Sequence, residues 1–254
     1  MGKRHEAIGI KQVVRLEWYD VTLDMLLGGM SPKQIRAELD HFIGERLQSG
    51  GFGERGEQTY VKALTQLMKC WVTPDRDIIP LRDDAIAKAH TCVKRERIVL
   101  HWAMMTAAYP FWFKVALQVG RLFNLQEIVS QGQIRNRCYE ALGERSTVER
   151  SARRVIRTFV AWGVLKDSET KGCYAKADPV CIADTDLVIL MIESALLATP
   201  EAKGALGLLL NNPAFFPFQL STLTGDLISQ RSDRIDVVRY GLDEELLNLK
   251  YGQS

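Results

Sequence analysis

The sequence lacks the short motifs that carry the commonest enzyme chemistries. It has no GxSxG nucleophile elbow, no phosphate-binding P-loop and no GxGxxG dinucleotide fingerprint. Its 4 histidines show no metal-ligand spacing to one another or to the 5 cysteines, so we expect no zinc site. The sequence therefore predicts a protein with no catalytic residues, no metal and no cofactor.

Targeting and membrane signals are also missing. The first residues, MGKRHEAIGI, lack the apolar run of a signal peptide, and the cysteines are odd in number with no CxxC pair. The most apolar run, LVILMIESALLA at 187–198, is too short to cross a bilayer and contains Glu193. We expect a cytoplasmic protein with reduced thiols and no membrane contact.

Charge is distributed unevenly along the chain, although the formal net charge is only +2. Residues 121–176 carry 11 basic and 6 acidic side chains, whereas residues 184–254 carry 5 basic and 10 acidic ones. A basic middle followed by an acidic end predicts a charged partner for the middle, or a contact between the two parts.

Hydrophobic periodicity predicts a mostly α fold with three segments: a helical N-terminal region (1–108), a central winged helix-turn-helix (109–178) and a small mixed α/β C-terminal region (179–254). The N-terminal region should contain helices over 13–29, 31–48, 57–71 and 83–107, with a loop at 50–56. In the last segment, Asp184 suits the N-cap of a helix over 185–198, TLTGDLISQ reads as a short helix, and IDVVRYGLDEELLNL reads as one or two strands.

The winged helix-turn-helix prediction rests on the order of elements in the middle segment. The expected order is an apolar helix over 111–123, a short strand within 124–130, helices over 130–143 and 146–163, and a hairpin over 164–177. Ser130 with Gln133, and Ser146 with Glu149, have the spacing of capping boxes that begin the two helices.

The helix over 146–163 predicts a binding surface. At about 100° per residue, its apolar side chains form a buried stripe: Val148, Ala152, Val155, Ile156, Phe159 and Val160. Arg150, Arg153, Arg154 and Arg157 form a stripe on the opposite side, which we call the arginine face. A helix side that is merely solvated usually alternates in sign, and like charges at this spacing repel.

Double-stranded DNA is the partner that this face favours, because the second helix of such a motif enters the major groove and arginine can bind guanine in a bidentate manner. Further contacts to the DNA backbone are expected from the preceding helix, the turn and the wing, through Arg135, Arg137, Arg145, Lys166, Lys171 and Lys176.

Two other interpretations stay open. The motif could instead dock a protein partner, for example another subunit, or pack against the acidic C-terminal region, and Arg153 or Arg157 could simply pair with Glu144 or Glu149. Asp184, Asp186 and Glu193 could hold metal ions in a nuclease, although Asp184 is better explained as a helix cap.

Residues 100–165 contain two runs, HWAMMTAAYPFWFKVALQVGRLF and STVERSARRVIRTFVAWGVL. Together they resemble the small BrxA-type proteins of bacterial BREX phage-exclusion systems. The resemblance implies a non-enzymatic, DNA-binding accessory protein of phage defence with a helix-turn-helix core, whose DNA contacts map onto Arg150, Arg153, Arg154 and Arg157. The mixed C-terminal region departs from the all-helical pattern expected of such a protein.

Overall fold

Helices carry most of the chain, which confirms the mostly α fold class. The computed structural model describes residues 2–44, 57–240 and 244–250, and it is 62% helical. Within these ranges the α-helices are α1 (Gly2–Glu6), α2 (Leu16–Leu27), α3 (Pro32–Gly44), α4 (Glu57–Leu67), α5 (Ile79–Ala89), α6 (Arg97–Ala108), α7 (Pro110–Phe123), α8 (Gln131–Leu142), α9 (Ser146–Ala161), α10 (Thr185–Ala198), α11 (Leu206–Leu210) and α12 (Gly225–Arg231).

Short strands form three small sheets in the described ranges. The strands are β1 (Ile128–Ser130), β2 (Leu165–Asp167), β3 (Cys173–Lys176), β4 (Val180–Ile182), β5 (Lys203–Ala205), β6 (Phe218–Leu220), β7 (Ile235–Tyr240) and β8 (Glu244–Leu249). The first sheet has the order β1-β3-β2 and the third has the order β5-β8-β7, both antiparallel, whereas β4 and β6 pair in parallel.

Local signals placed most element boundaries correctly. Ser31 and Gln34 exchange hydrogen bonds where α3 begins, and the glycine pair after α2 ends that helix with Gly29 at φ 72°. Asp184 caps α10 through the N–H groups of Asp186 and Leu187, at 3.0 and 3.2 Å. The predicted loop at 50–56 and the end of the predicted helix over 31–48 lie outside the described residues.

Two predictions in the helical regions are wrong. The long helix expected over 83–107 is two helices, α5 and α6, separated by a turn in which Val93 is extended and its N–H donates to the Glu96 carboxylate at 3.3 Å. No glycine or proline marks this break in the sequence. Because the helix is interrupted, α5 and α6 pack separately against α10. Ser146 and Glu149 do not form a capping box, because α9 has no side-chain cap and Glu149 accepts a hydrogen bond from the Tyr139 hydroxyl at 2.8 Å.

The core lies where α6 crosses α10. Every residue of α6 from Ile98 to Ala108 is buried, and so is every residue of α10 from Leu187 to Ala198. Buried side chains from all three predicted segments contact one another in one continuous core. The segment boundaries at 108/109 and 178/179 stay a prediction.

Aromatic side chains fix α9 on this core. Trp102 of α6 stacks on Phe159 of α9 at 5.1 Å between ring centroids, and Trp112 of α7 meets the same ring edge-on at 4.6 Å. Just after α9, the Trp162 indole donates a hydrogen bond to the Val14 carbonyl at 3.0 Å. The buried side of α9 is therefore held by three regions of the chain.

Candidate nucleic-acid interface

Helix α9 divides into a buried side and a charged side, as its periodicity predicts. Val148, Ala152, Val155, Ile156 and Phe159 are buried, and Val160 lies at the edge of this stripe, half-buried. On the other side, Arg150 and Arg153 are exposed, while Arg154 and Arg157 are partly buried. All four predicted arginines thus share one side of the helix.

Three arginines of the arginine face lack an acidic partner among the residues that the structure describes. In the described parts of the chain, no carboxylate lies within 4.0 Å of Arg150, Arg153 or Arg154. The Arg150 side chain donates to the Ser146 carbonyl of its own helix, at 3.3 Å. Partial burial, together with the charges of Arg150 and Arg153, lowers the pKa of Arg154. The positive charges of these three side chains are therefore not neutralised by any carboxylate that the structure describes.

Arg157 differs from these three because it is paired. Its guanidinium donates to the Asp167 carboxylate at 2.6 Å, which ties α9 to β2. Partial burial opposes the charged form, but the bond and attraction to Asp167 outweigh it and raise the pKa of Arg157. The pairing of Arg153 or Arg157 with Glu144 or Glu149 is therefore wrong.

The other predicted contact residues surround α9 unevenly. Arg135 reaches Glu149 at 3.9 Å and Arg137 reaches Glu140 at 3.7 Å, both loosely. Arg145 lies in the turn between α8 and α9, where it donates to the Leu142 carbonyl at 2.9 Å and lines a cleft with Lys114 and His5. Lys166, Lys171 and Lys176 are exposed on the hairpin of β2 and β3.

Sequence reasoning missed Arg15. This exposed residue precedes α2 and lines a cleft of about 490 Å³ together with Arg157, Val160 and Ala161. No local sequence pattern indicates Arg15, because it is far from Arg157 in sequence and the fold alone brings the two side chains to one cleft.

A second charged region surrounds the start of α10, and we call it the α10 ion-pair cluster. Its members line or flank a cavity of about 500 Å³: Lys88, Arg231, Arg234, Asp84, Asp184, Asp186 and Glu193. Lys88 contacts Asp184 at 2.6 Å and Asp186 at 3.3 Å, and Asp186 also contacts Arg231 at 3.3 Å. Arg234 donates two hydrogen bonds, of 2.7 and 2.8 Å, to the carboxylate of the buried Glu193, and it forms an ion pair with Asp84 at 2.5 Å.

The ion pairs of this cluster speak against the nuclease interpretation, which needs Asp184, Asp186 and Glu193 as metal ligands. Each of its three candidate carboxylates is already bound to a lysine or arginine of the same cluster. Among the residues that the structure describes, no group of three or more histidine, cysteine or acidic side chains is placed to hold a metal ion. The acidic residues of α10 are arranged as partners for cations of this chain.

Comparison with protein-family models, with curated proteins and with solved structures finds no match to this chain. In the described ranges, none of the helices has the length and apolar character needed to cross a membrane. The arguments about function therefore rest on the residues themselves.

Proposed function

We propose that residues 109–178 form a winged helix-turn-helix that binds double-stranded DNA through the arginine face. The order α7, β1, α8, α9 and the β2–β3 hairpin, with β1 beside β3, supports this motif. The observation that carries the proposal is that no carboxylate of the described residues pairs with Arg150, Arg153 or Arg154. Such a concentration of unneutralised guanidinium groups favours a polyanion.

In this proposal each group has a distinct role. Helix α9 lies in the major groove, where a guanidinium can contact phosphate or bind the O6 and N7 atoms of guanine. Arg135 and Arg137 on α8 contact the backbone, as do Arg145 and the hairpin lysines Lys166, Lys171 and Lys176. These backbone contacts contribute affinity that is independent of DNA sequence and sensitive to salt. The proposal assigns no catalytic step.

The biological setting is a separate proposal. The resemblance of residues 100–165 to BrxA-type proteins supports a role as an accessory, DNA-binding component of a bacterial phage-defence system, acting in the cytoplasm beside other subunits. It rests on the two sequence runs, HWAMMTAAYPFWFKVALQVGRLF and STVERSARRVIRTFVAWGVL. Docking of a protein partner on the same winged helix remains the alternative, and the same unpaired arginines would then face acidic side chains of that partner.

The test is the salt dependence of binding to a random-sequence duplex, measured by fluorescence anisotropy. We expect wild type to bind, and the variant Arg150→Ala/Arg153→Ala/Arg154→Ala to bind more weakly, with the slope of log K against log[salt] shallower by about 3. The matched control, Lys33→Ala/Arg36→Ala/Lys62→Ala, removes the same charge from exposed residues of α3 and α4. Circular dichroism checks that each variant is folded.

Two outcomes would overturn the proposal. Absence of wild-type binding at low salt would remove the DNA function and favour a protein that covers the arginines. Equal losses in the variant and in its control would show a general effect of net charge, without a binding face on α9.

A further inference from the structure

A cleft opens beside the arginine face, between α9 and the chain that leads into α2. It measures about 490 Å³, and its walls include Arg15 on one side and Arg157 on the other. Arg15 is exposed and makes no ion pair with a described carboxylate, whereas Arg157 is paired with Asp167. The cleft thus places the exposed Arg15, from the N-terminal helical region, beside the last turn of α9.

A second, smaller cleft continues the same surface. It measures about 210 Å³ and contains Lys94 and Arg95, both exposed, opposite the residues that follow α9. Leu16 lines both clefts, so the two clefts adjoin. Cations from three distant parts of the chain, α9, the start of α2 and the turn before α6, therefore line neighbouring clefts.

Carboxylates also line these clefts, and they would weaken phosphate binding if they neutralised the cations. Glu17 lines the larger cleft, while Asp20 and Asp178 line the smaller one. Asp20 contacts the Nε2 atom of the buried His101 at 3.2 Å, so its charge is partly directed inward. None of the three lies within 4.0 Å of Arg15, Lys94 or Arg95 as an ion pair.

The relative positions of these cations are fixed by the core. The Trp162 indole at the end of α9 is buried and donates to the carbonyl of Val14, the residue next to Arg15. Trp162 itself lines the smaller cleft beside Lys94 and Arg95. Because this buried hydrogen bond ties the Trp162 side chain to the backbone at Val14, Arg15 is held close to the end of α9.

We infer that Arg15, Lys94 and Arg95 form a second phosphate-binding surface, so that the N-terminal helical region contacts the DNA backbone beyond the end of α9. This inference rests on the proposed function, because its ligand is the duplex that lies on the arginine face. Exposed cations beside the reading helix suit the dense negative charge of B-DNA, which carries a charge about every 1.7 Å of helix axis. It adds affinity and orientation without reading bases.

The experiment uses the full chain and a random-sequence duplex of about 20 base pairs, roughly two helical turns. The variant Arg15→Ala/Lys94→Ala/Arg95→Ala should bind with a salt slope shallower by about 3 than that of wild type. Its melting temperature should match that of wild type, since all three side chains are exposed. The Lys33→Ala/Arg36→Ala/Lys62→Ala control should keep the wild-type slope.

The outcomes separate this inference from the proposed function. If the arginine-face variant loses affinity while the Arg15 variant keeps the wild-type slope, DNA contact is confined to the winged helix and the inference falls alone. An equal loss in the Lys33 control also overturns it, because the effect is then one of net charge. If wild type does not bind the duplex at low salt, the inference and the proposed function fall together.

Discussion

The arginine face and the α10 ion-pair cluster use the same kinds of side chain in opposite ways. On α9, three guanidinium groups lie side by side without a described acidic partner. Beside α10, Lys88, Arg231 and Arg234 each contact at least one carboxylate of the same chain. In the α10 ion-pair cluster each charge has a partner within the chain, whereas the three arginines on α9 leave their charge available to a ligand. The difference between them lies in their partners, which composition does not reveal.

The largest effect is expected from breaking the internal cluster at Arg234. Arg234→Ala leaves the carboxylate of Glu193 buried and unpaired, which should lower the free energy of unfolding by about 3–5 kcal/mol, as measured by urea denaturation. DNA affinity, measured where the variant is still folded, should not change. If Arg234→Ala lowers DNA affinity but leaves the free energy of unfolding unchanged, the α10 ion-pair cluster takes part in DNA binding and does not serve stability alone.

Two further variants sharpen this test. Replacing the pair with apolar residues, Glu193→Leu/Arg234→Met, should recover most of the lost stability, because the cost comes from the unpaired buried charge. Arg239→Ala breaks an exposed pair with Asp226 and should leave stability essentially unchanged. A double variant as unstable as Arg234→Ala would mean that the ion pair itself, and not its desolvation, determines the effect.

A smaller loss is expected at Asp184, which belongs to the cluster and also caps α10. Asp184→Ala removes two hydrogen bonds to the helix N-terminus and the contact to Lys88, so we expect a loss of about 1–2 kcal/mol in thermal or urea unfolding. Asp184→Asn can still cap α10 through its side-chain oxygen, so it should recover part of the lost stability. Metal-dependent cutting of DNA by wild type that is lost in Asp184→Ala would instead revive the nuclease interpretation.

Asp167 offers a way to convert a paired arginine into an unpaired one. Asp167→Asn releases Arg157, so DNA affinity should rise by several-fold, to about tenfold, while stability falls by at most about 1 kcal/mol because the pair is exposed. Glu169→Gln is the matched control, since it removes one charge from the same hairpin without touching Arg157. Equal gains in both variants would show that only the net charge matters.

The smallest effect is expected from a change of pH, which alters the protonation of buried histidines but not that of arginines. Burial lowers the pKa of His101, against the raising effect of Asp20, and burial also lowers the pKa of His5. Keeping these two histidines neutral contributes stability that is fully present above about pH 6.5, the pKa of a histidine in the unfolded chain. That contribution is lost as the pH falls through the lowered pKa values of the folded protein. The melting temperature should therefore drop between pH 7 and 5, and less so in His101→Gln or His5→Gln.

The exposed His90 provides the control for this measurement. His90→Gln should show the same pH profile as wild type. A profile that is flat in wild type over this range would contradict the assignment of the buried histidines as neutral groups.

Local sequence was sufficient to predict features whose cause is also local. The two sides of α9, the capping box at Ser130 and the hairpin after α9 follow from spacing within a few residues. The break between α5 and α6 was missed because tertiary packing against α10 causes it, with no glycine or proline to mark it.

The same distinction explains what was missed at the candidate site. Individual arginines could be placed on one side of a helix, because helical geometry fixes that side. Which carboxylate neutralises which cation depends on contacts between distant residues: Glu193 meets Arg234, and Lys88 meets Asp184. Arg15 reaches α9 in the same way, through the fold as a whole.

The burial of α6 by α10 has a consequence for how the chain is made. Nearly the whole surface of α6 is apolar and covered in the folded protein, yet the helix that covers it is synthesised much later, after α7, α8 and α9. At about 5–20 residues per second, α6 leaves the ribosome several seconds before α10 does. During that interval the side chains of α6 that face α10 lack their native cover, so the growing chain should be a substrate for chaperones, and truncation before α10 should yield aggregates.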